Sequence, residues 1–312
     1  MKSYYRLMLG RKSIHAAECF ASNFVGVDYL IEQDLSDKLY AQWRDFNHEM
    51  MPVYLATHPD KTRIGAGLAC GALWTVIAGM QHGDQVLCPD GEGNYRVGEI
   101  CGGYAYAAGQ TLPHRRPVRW LAQTIARGDM SEALARSTAV PSTVVGPSAF
   151  TVHREEIERL LGETVAGRTL VATDPDVEDP YAFALEKHLE DFLVANWGQT
   201  ALGREFDIVA EDGERVGQQY QTGAGPIDIL AISHDRTRLL VVELKRGRAS
   251  DVVVGQILRY MGYLKGEIAE AGQSVEGAII ALEDDQKLRW ALAAVQGVQF
   301  YRSQMSLSLV KG

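Results

Sequence analysis

The chain has 312 residues and a mass of 34.3 kDa, with 31 basic and 40 acidic residues giving a formal charge of -9 and a pI of about 5.4. Its 46% hydrophobic and 23% charged residues exclude a disordered or low-complexity chain, and its length suggests about two domains at roughly 150 residues each. No apolar run approaches the roughly 20 residues that a membrane span needs. The opening stretch is interrupted by Arg6, Arg11, Lys12 and His15 and lacks a signal-peptide core. A cytoplasmic protein with no membrane partner is therefore expected.

The charge is uneven. Up to Ala172 there are 17 basic and 18 acidic residues; beyond it there are 14 and 22. Net acidity thus does not exclude a nucleic-acid partner, because carboxylates gathered to hold a divalent cation can coexist with a local basic groove. The four cysteines, Cys19, Cys70, Cys88 and Cys101, show neither C-x-x-C nor zinc-ligand spacing and read as small, mostly buried apolar residues.

In chain order, YYRLML at the start reads as a strand, residues 35–50 as a polar helix and residues 66–80 as an apolar helix. Gln85–Cys88, Tyr95–Ile100 and His114–Leu121 read as strands separated by Gly- and Pro-rich turns, with Asp84 in one of those turns. Short strands of this kind argue for a small β-barrel with one or two helices. Residues 172–180, ATDPDVEDP, hold two prolines and four acids and are expected to form an exposed linker, with Asp179-Pro180 opening a helix. The expected domains are therefore 1–172 and 181–312, joined by 173–180.

Beyond the linker, Phe183, Leu185, Leu189, Phe192 and Leu193 recur at helical spacing and predict an amphipathic helix over 181–197. Strands follow at 206–209 and 225–233. LLVVEL at 239–244 is a buried central strand because its apolar run does not alternate. A helix at 250–268, a strand at 277–282, a helix at 286–295 and closing strands at 298–301 and 306–310 complete the order. The fold class is α/β (α+β), with a mixed sheet flanked by helices in the second half.

The chemistry concentrates in three residues. Asp228 stands on one strand, and Glu243 and Lys245 stand on the next as E-L-K, so period-two geometry sets Glu243 and Lys245 on one face. A charged pair at the end of an otherwise apolar strand is costly to bury unless it is paired or bound to metal. Two carboxylates converging from adjacent strands make an oxygen-ligand site for Mg²⁺ or Mn²⁺, with Lys245 beside it to stabilise developing negative charge. No G-x-x-x-x-G-K-[ST], G-x-S-x-G or H-E-x-x-H pattern occurs, so no nucleotide cofactor is expected.

GPIDILAIS followed by LLVVELKRG resembles the P-x-D…E-x-K core of the PD-(D/E)xK nuclease superfamily. Within it, ELKRGRASDVVVGQILRYMGYLK is similar to the catalytic domain of the NucS/EndoMS endonucleases, a resemblance covering about Tyr181 to Val310. It implies a restriction-endonuclease-like fold and DNA hydrolysis. Asp228 and Glu243 would be metal ligands and Lys245 the catalytic lysine. Gln256 and Tyr260, four apart on one helix face, would lie near the scissile phosphate. Glu186 would be a further site carboxylate. Glu190, one turn on, is the alternative, and is read as a solvated helix position. Arg246, Arg248 and Arg259 are candidate backbone contacts.

The different N-terminal domain of the NucS/EndoMS enzymes, used for dimerisation and DNA binding, is not recognised here. GDQVLCPDGEGNYRVGEI with HRRPVRWL instead resembles the PUA/EVE-like small barrels found beside restriction nucleases. That resemblance implies a domain that flips a modified base into an aromatic-lined pocket, with Trp43, Trp74, Tyr104, Tyr106 and Trp120 as candidate walls. His114, Arg115, Arg116 and Arg119 form the densest basic cluster of this half, with phosphate binding by Arg115 and Arg116 as the candidate role. The expectation is a metal-dependent DNA endonuclease acting on modified or foreign DNA, as a homodimer where both strands are cut. The alternatives are a mismatch- or branch-specific repair nuclease and a non-catalytic DNA-binding module.

Overall fold

The computed structural model describes residues 2–140, 142–162, 189–211 and 214–303, and the chain divides into two units, residues 1–169 and 170–312. The expected linker at 172–180, the first part of the helix expected at 181–197, Glu186 and the closing strand at 306–310 lie outside the described residues. The fold is α/β, with a mixed sheet in each unit. Among the described residues no helix is long and apolar enough to cross a membrane.

The first unit is a sheet curled into a half-barrel. Its strands are β1 (Tyr4–Leu7), β2 (Phe24–Val27), β3 (Gln85–Pro89), β4 (Asn94–Ile100), β5 (Ala105–Tyr106), β6 (His114–Ala126) and β7 (Val144–Val145). They run in the order β2-β6-β4-β3-β1-β7, with β5 on β6. β1 lies parallel to β3 and the other pairs are antiparallel. Tyr4, Leu87, Val97 and Ile125 alternate inward from their strands and pack with Leu134, Phe150 and Ile157 in one core. Those last three come from the short helices α4 (Glu132–Thr138), α5 (Ser148–Thr151) and α6 (Arg154–Leu160).

The remaining helices of this unit are α1 (Ala16–Ala21), α2 (Trp43–Thr57) and α3 (Arg63–Trp74). α3 begins at Thr62, whose hydroxyl accepts from the Gly65 N–H at 3.1 Å, and runs on as a wider π turn over Thr75–Gly79. The helix expected at 35–50 begins later. Asp34 accepts the Ser36 N–H at 2.9 Å and the Leu35 carbonyl accepts the Lys38 N–H at 2.9 Å. That local turn competes with helix, and α2 starts only at Trp43.

β6 carries the sequence HRRPVR, and its alternation sorts those residues: His114, Arg116 and Val118 are buried, whereas Pro117 and Arg119 are exposed. The fully buried His114 is held on both sides. Its Nε2 lies 2.9 Å from the Ile31 carbonyl and its Nδ1 lies 2.9 Å from the Tyr104 hydroxyl. A carbonyl only accepts, so Nε2 carries the proton and Nδ1 accepts from Tyr104. Tyr104 in turn accepts the Leu35 N–H at 3.2 Å. This chain fastens the 28–42 loop to β5 and β6.

In the second unit α7 includes residues 189–195. It is followed by β8 (Phe206–Ile208), β9 (Ala210–Glu211), β10 (Glu214–Arg215), β11 (Gln218–Thr222), β12 (Gly225–Ser233), β13 (Arg238–Ala249), α8 (Val252–Tyr263), β14 (Ser274–Asp284), α9 (Gln286–Ala293) and β15 (Val298–Arg302). The sheet order is β11-β12-β13-β14-β15, with β8 also on β12 and a separate β9–β10 pair. β13 is central: it runs antiparallel to β12 and parallel to β14. Ile229, Ala231, Leu240, Val242, Leu244, Ala278 and Ile280 share one apolar face with Val194 of α7 and Trp197. The alternate residues therefore face the other way, towards α8. There a Cβ on Gly277 would meet the Ile257 and Met261 side chains at 2.9 Å.

Burial lowers the His114 imidazole below its ordinary value of about 6.5, against hydrogen bonding to Ile31 and the charges of Asp28 and Asp34. The unfolded chain then binds a proton that the fold does not. The stability that neutral His114 contributes is full above about pH 6.5 and is lost as pH falls through its folded value. His114→Phe is expected to cost about 1–3 kcal/mol at pH 8 and to flatten the dependence of thermal stability on pH between about 7 and 5. An unchanged slope in melting curves would count against this assignment.

Candidate active site

The site forms where β12 and β13 part. Their ladder pairs Ile232↔Leu239 through Ile229↔Val242, and one step further the two strands present Asp228 and Glu243. In place of a ladder bond, Oδ2 of Asp228 accepts the Leu244 N–H at 2.7 Å. The carboxylate is thereby fixed against the strand that carries Glu243 and Lys245. The Lys245 ammonium lies 3.5 Å from Oε1 of Glu243. Glu243 is only 2% exposed, and an ammonium at that distance offsets the cost of burying its charge. Beyond Lys245 the register with β14 shifts before Arg248, an irregularity of the kind that re-aims side chains at strand ends.

α8 brings a second pair to this face. The Gln256 side-chain amide donates to the Tyr260 hydroxyl at 3.2 Å. Tyr260 is buried, and burial raises its hydroxyl above the ordinary value. The Gln256 and Arg259 hydrogen bonds oppose that shift, and the charges of Glu243 and Asp228 add to it. The hydroxyl thus stays protonated beside two carboxylates and remains a donor. It also sits against the start of β12: a Cβ on Gly225, whose φ is +111°, would lie 3.1 Å from it. Asp228, Glu243, Lys245, Gln256 and Tyr260 are thus brought to one region by three elements.

The structure adds Gln218 and Gln219, which the sequence did not single out for the site, and brings in Glu190, which the sequence offered as the alternative to Glu186. Glu190 of α7 is 3% exposed, which corrects its reading as a solvated helix position. Gln218 donates to Glu190 at 2.8 Å and to Asp191 at 2.9 Å. Gln219 donates to the other Glu190 oxygen and, at 3.3 Å, to Oδ1 of Asp228. Gln219 has φ +50°, a left-handed conformation that costs a non-glycine residue about 1–3 kcal/mol. The sequence signal for this arrangement is faint, since Q-Q-Y-Q-T reads equally as a polar edge strand.

The carboxylates and the carboxamides around them are hard oxygen and amide groups, with no thiol or imidazole among them. This chemistry fits Mg²⁺ or Mn²⁺ held by Asp228 and Glu243. Among the described residues, no three acidic, His or Cys side chains form a ready cluster.

Of the candidate backbone contacts, Arg248 pairs with Glu283 at 3.0 Å on the surface, Arg259 lies over the Tyr260 ring at 5.6 Å, and Arg246 belongs to β13.

The N-terminal candidates are each held by contacts of their own. Tyr104 and Tyr106 flank His114, with ring centroids 6.0 and 5.3 Å from it. Trp120 meets Phe20 edge-on at 4.9 Å and lies against Gly98. Trp74 donates from Nε1 to the Tyr40 carbonyl at 2.9 Å. Trp43 is the half-buried first residue of α2. Arg115 lies over the Phe24 ring at 3.9 Å and bonds to Leu112, Thr111 and Gln110 of its own turn.

Arg116 departs from its expected phosphate role. It is 5% exposed and donates to the carbonyls of Gly102 at 2.9 Å, Val76 at 3.1 Å and Met80 at 2.8 Å. It caps the orphan carbonyls that end α3 and its π turn. Asp84 acts as a turn residue, accepting the N–H groups of Ser3 and Gln81 at 2.8 Å each.

Comparison with known proteins divides the chain in the same sense. Residues 5–145 match the sequence model of a domain of unknown function, DUF8426, and residues 195–303 match that of the endonuclease NucS C-terminal domain. The second unit thus contains a NucS-like C-terminal domain. No curated protein matches the chain. Solved structures with some likeness include a complex of EndoMS with double-stranded DNA (15% identity, 69% of this chain and 63% of that one, TM-score 0.32). Others are a repair endonuclease from Pyrococcus abyssi (17%, 69% and 66%, 0.29) and the MspJI restriction endonuclease with a 27-mer oligonucleotide (8%, 77% and 59%, 0.23). The chain spans just under two thirds of the first two.

Replacing Arg116 by Met strips the buried carbonyls of Val76 and Met80, and the half-buried carbonyl of Gly102, of a donor. The expected loss is about 3 kcal/mol, from hydrogen bonds to a charged group, measured by urea unfolding. A loss below about 0.5 kcal/mol would sink the capping role.

Proposed function

We propose that the protein is a metal-dependent DNA endonuclease whose C-terminal domain hydrolyses a phosphodiester bond. The observation that carries this reading is the convergence of Asp228, Glu243 and Lys245 at the parting of β12 and β13. It lies within the stretch that matches the NucS C-terminal domain. Asp228 and Glu243 would hold Mg²⁺ or Mn²⁺. Such a cation, when bound, supplies Lewis acidity toward the phosphate and lowers the pKa of water. The chain's own groups do the rest. Leu244 N–H fixes the Asp228 carboxylate. Lys245 brings a positive charge to the place where negative charge grows on phosphate oxygen. Tyr260, kept protonated, and Gln256 offer donors to the phosphate or its neighbours.

The first unit would direct the enzyme to modified or otherwise foreign DNA, a restriction role supported by the PUA/EVE-like resemblance of GDQVLCPDGEGNYRVGEI and HRRPVRWL. A mismatch- or branch-specific repair role is the second reading, favoured by the NucS match of the catalytic stretch. Cutting both strands with one site per chain favours a homodimer.

The test is cleavage of two matched plasmids, one unmodified and one carrying modified cytosine or adenine, with Mg²⁺, Mn²⁺ or EDTA. Metal-dependent cutting of the modified plasmid alone is expected. Equal cutting moves the assignment to the repair reading, for which mismatched and flapped duplexes are the next substrates. No cutting with either metal overturns the enzyme assignment. Asp228→Asn and Lys245→Ala are each expected to lower the rate by about 10²–10³-fold or more. Asp228→Asn should melt close to the parent, whereas Lys245→Ala, which withdraws the ammonium from the buried Glu243, should melt lower but remain folded. Full activity in either variant would remove that residue from the mechanism.

A further inference from the structure

Gln219 makes two bonds that a residue in a regular strand would not make together with its neighbour. Consecutive strand residues point to opposite faces, yet Gln218 and Gln219 both reach the carboxylate of Glu190. The left-handed φ of +50° at Gln219 is the departure from strand geometry that accompanies this. It falls in β11 opposite Asp228, between the paired positions Gln218↔Ile229 and Tyr220↔Ile227. The flanking backbone is just as constrained: a Cβ on Gly217 would lie 2.2 Å from the Leu230 carbonyl oxygen.

Carboxylates only accept, so the Gln219 amide must turn its NH₂ toward both of them. Its two protons are divided between Glu190 and Oδ1 of Asp228. The other Asp228 oxygen is already taken by the Leu244 N–H. Each oxygen of Asp228 is thus tied to a different element, one to β13 and one, through Gln219 of β11, to Glu190 of α7. Glu190, buried and doubly bonded by Gln218 and Gln219, is the anchor that keeps the amide in this orientation.

We propose that Gln219 is a positioning residue of the active site. Held in left-handed backbone and anchored by Glu190, its amide fixes the rotamer of Asp228 and so sets the affinity of the site for a divalent cation. Groups that hydrogen-bond to a ligating carboxylate typically govern metal affinity by about 10–100-fold when removed. A backbone strain that persists in the fold is accounted for where it orients such a group. The inference rests on the metal-site reading of Asp228 and Glu243.

The experiment is a calorimetric Mn²⁺ titration of the full-length parent, Gln219→Ala, Gln219→Gly and Asp228→Asn, with thermal unfolding of each in EDTA. Gln219→Ala is expected to bind Mn²⁺ about 10–100-fold more weakly and to need correspondingly more Mn²⁺ for half-maximal DNA cleavage. Gln219→Gly removes the amide but suits the left-handed backbone, so it should melt above Gln219→Ala and still bind Mn²⁺ as weakly. Parental affinity in Gln219→Ala overturns the proposal. So does parental affinity in Gln219→Gly, which would assign the effect to backbone strain alone. A parent that binds no Mn²⁺, or binds it as well in Asp228→Asn, is the separate failure of the metal-site reading on which the proposal rests.

Discussion

The hydrogen bond from the Leu244 N–H to Asp228 is where sheet and site become one structure. Two antiparallel strands that separate leave backbone donors unmet, and a buried donor without an acceptor costs about 1–3 kcal/mol. Here the acceptor is a carboxylate on the departing strand. The strands can therefore open a gap in the ladder without that cost, and the gap opens where Glu243 and Lys245 stand. The apolar cluster on the opposite face, with Leu240, Val242 and Leu244 in alternation, pins the register. A slip of one residue would turn Glu243 into the core and Leu244 out of it. Packing on one face thus dictates which residues meet on the other.

How much of this the sequence discloses depends on whether a residue's fate is local. β12 spans Gly225–Ser233, as GPIDILAIS suggests, and β13 occupies the centre of its sheet, as an unalternating LLVV run requires. Asp228 and E-L-K follow from period-two geometry alone. Glu190 does not. A glutamate on an amphipathic helix reads as solvated until β11 is known to lie beside it with two amides. β11 itself, with Q-Q-Y-Q-T, has no apolar periodicity strong enough to announce it. The short β2, β7 and α4 to α6 were missed for the same reason, since two to seven residues are too few to establish a period.

Arg116 is a different kind of miss. The strand was legible, and so was its alternation: Val118 must face inward, which turns Arg116 and His114 inward with it. Composition suggested a basic cluster for a polyanion, whereas geometry divided the cluster between two faces. The inward guanidinium is tolerable because its donors meet carbonyl oxygens at a helix end, where the partial charge is negative. Arg6, 1% exposed, follows the same rule, donating to the carbonyls of Val140, Ser142 and Thr143. Burial lowers it to about 10, still far above neutrality, so it remains a cation inside the half-barrel. Two buried arginines close two loops of this unit, each by donating to several backbone carbonyls at once.

That use of cations limits which of them a phosphate on the first unit would reach. Within HRRPVR, His114 and Arg116 are internal, Arg115 is bonded to its own turn, and Arg119 pairs with Glu99 at 2.8 Å. A phosphate approaching this strand would have to break the Arg119–Glu99 pair, which costs little on the surface, or the Arg115 turn contacts, which would loosen the β5–β6 connection. Arg119 is thus the cation of this strand that a phosphate would reach at least cost. The aromatic residues are sorted in the same way. Trp74 is bound to the Tyr40 carbonyl and Tyr104 to His114, contacts that fix the orientation of each ring. Tyr106, half-buried at the end of the two-residue β5, is tilted over the same His114.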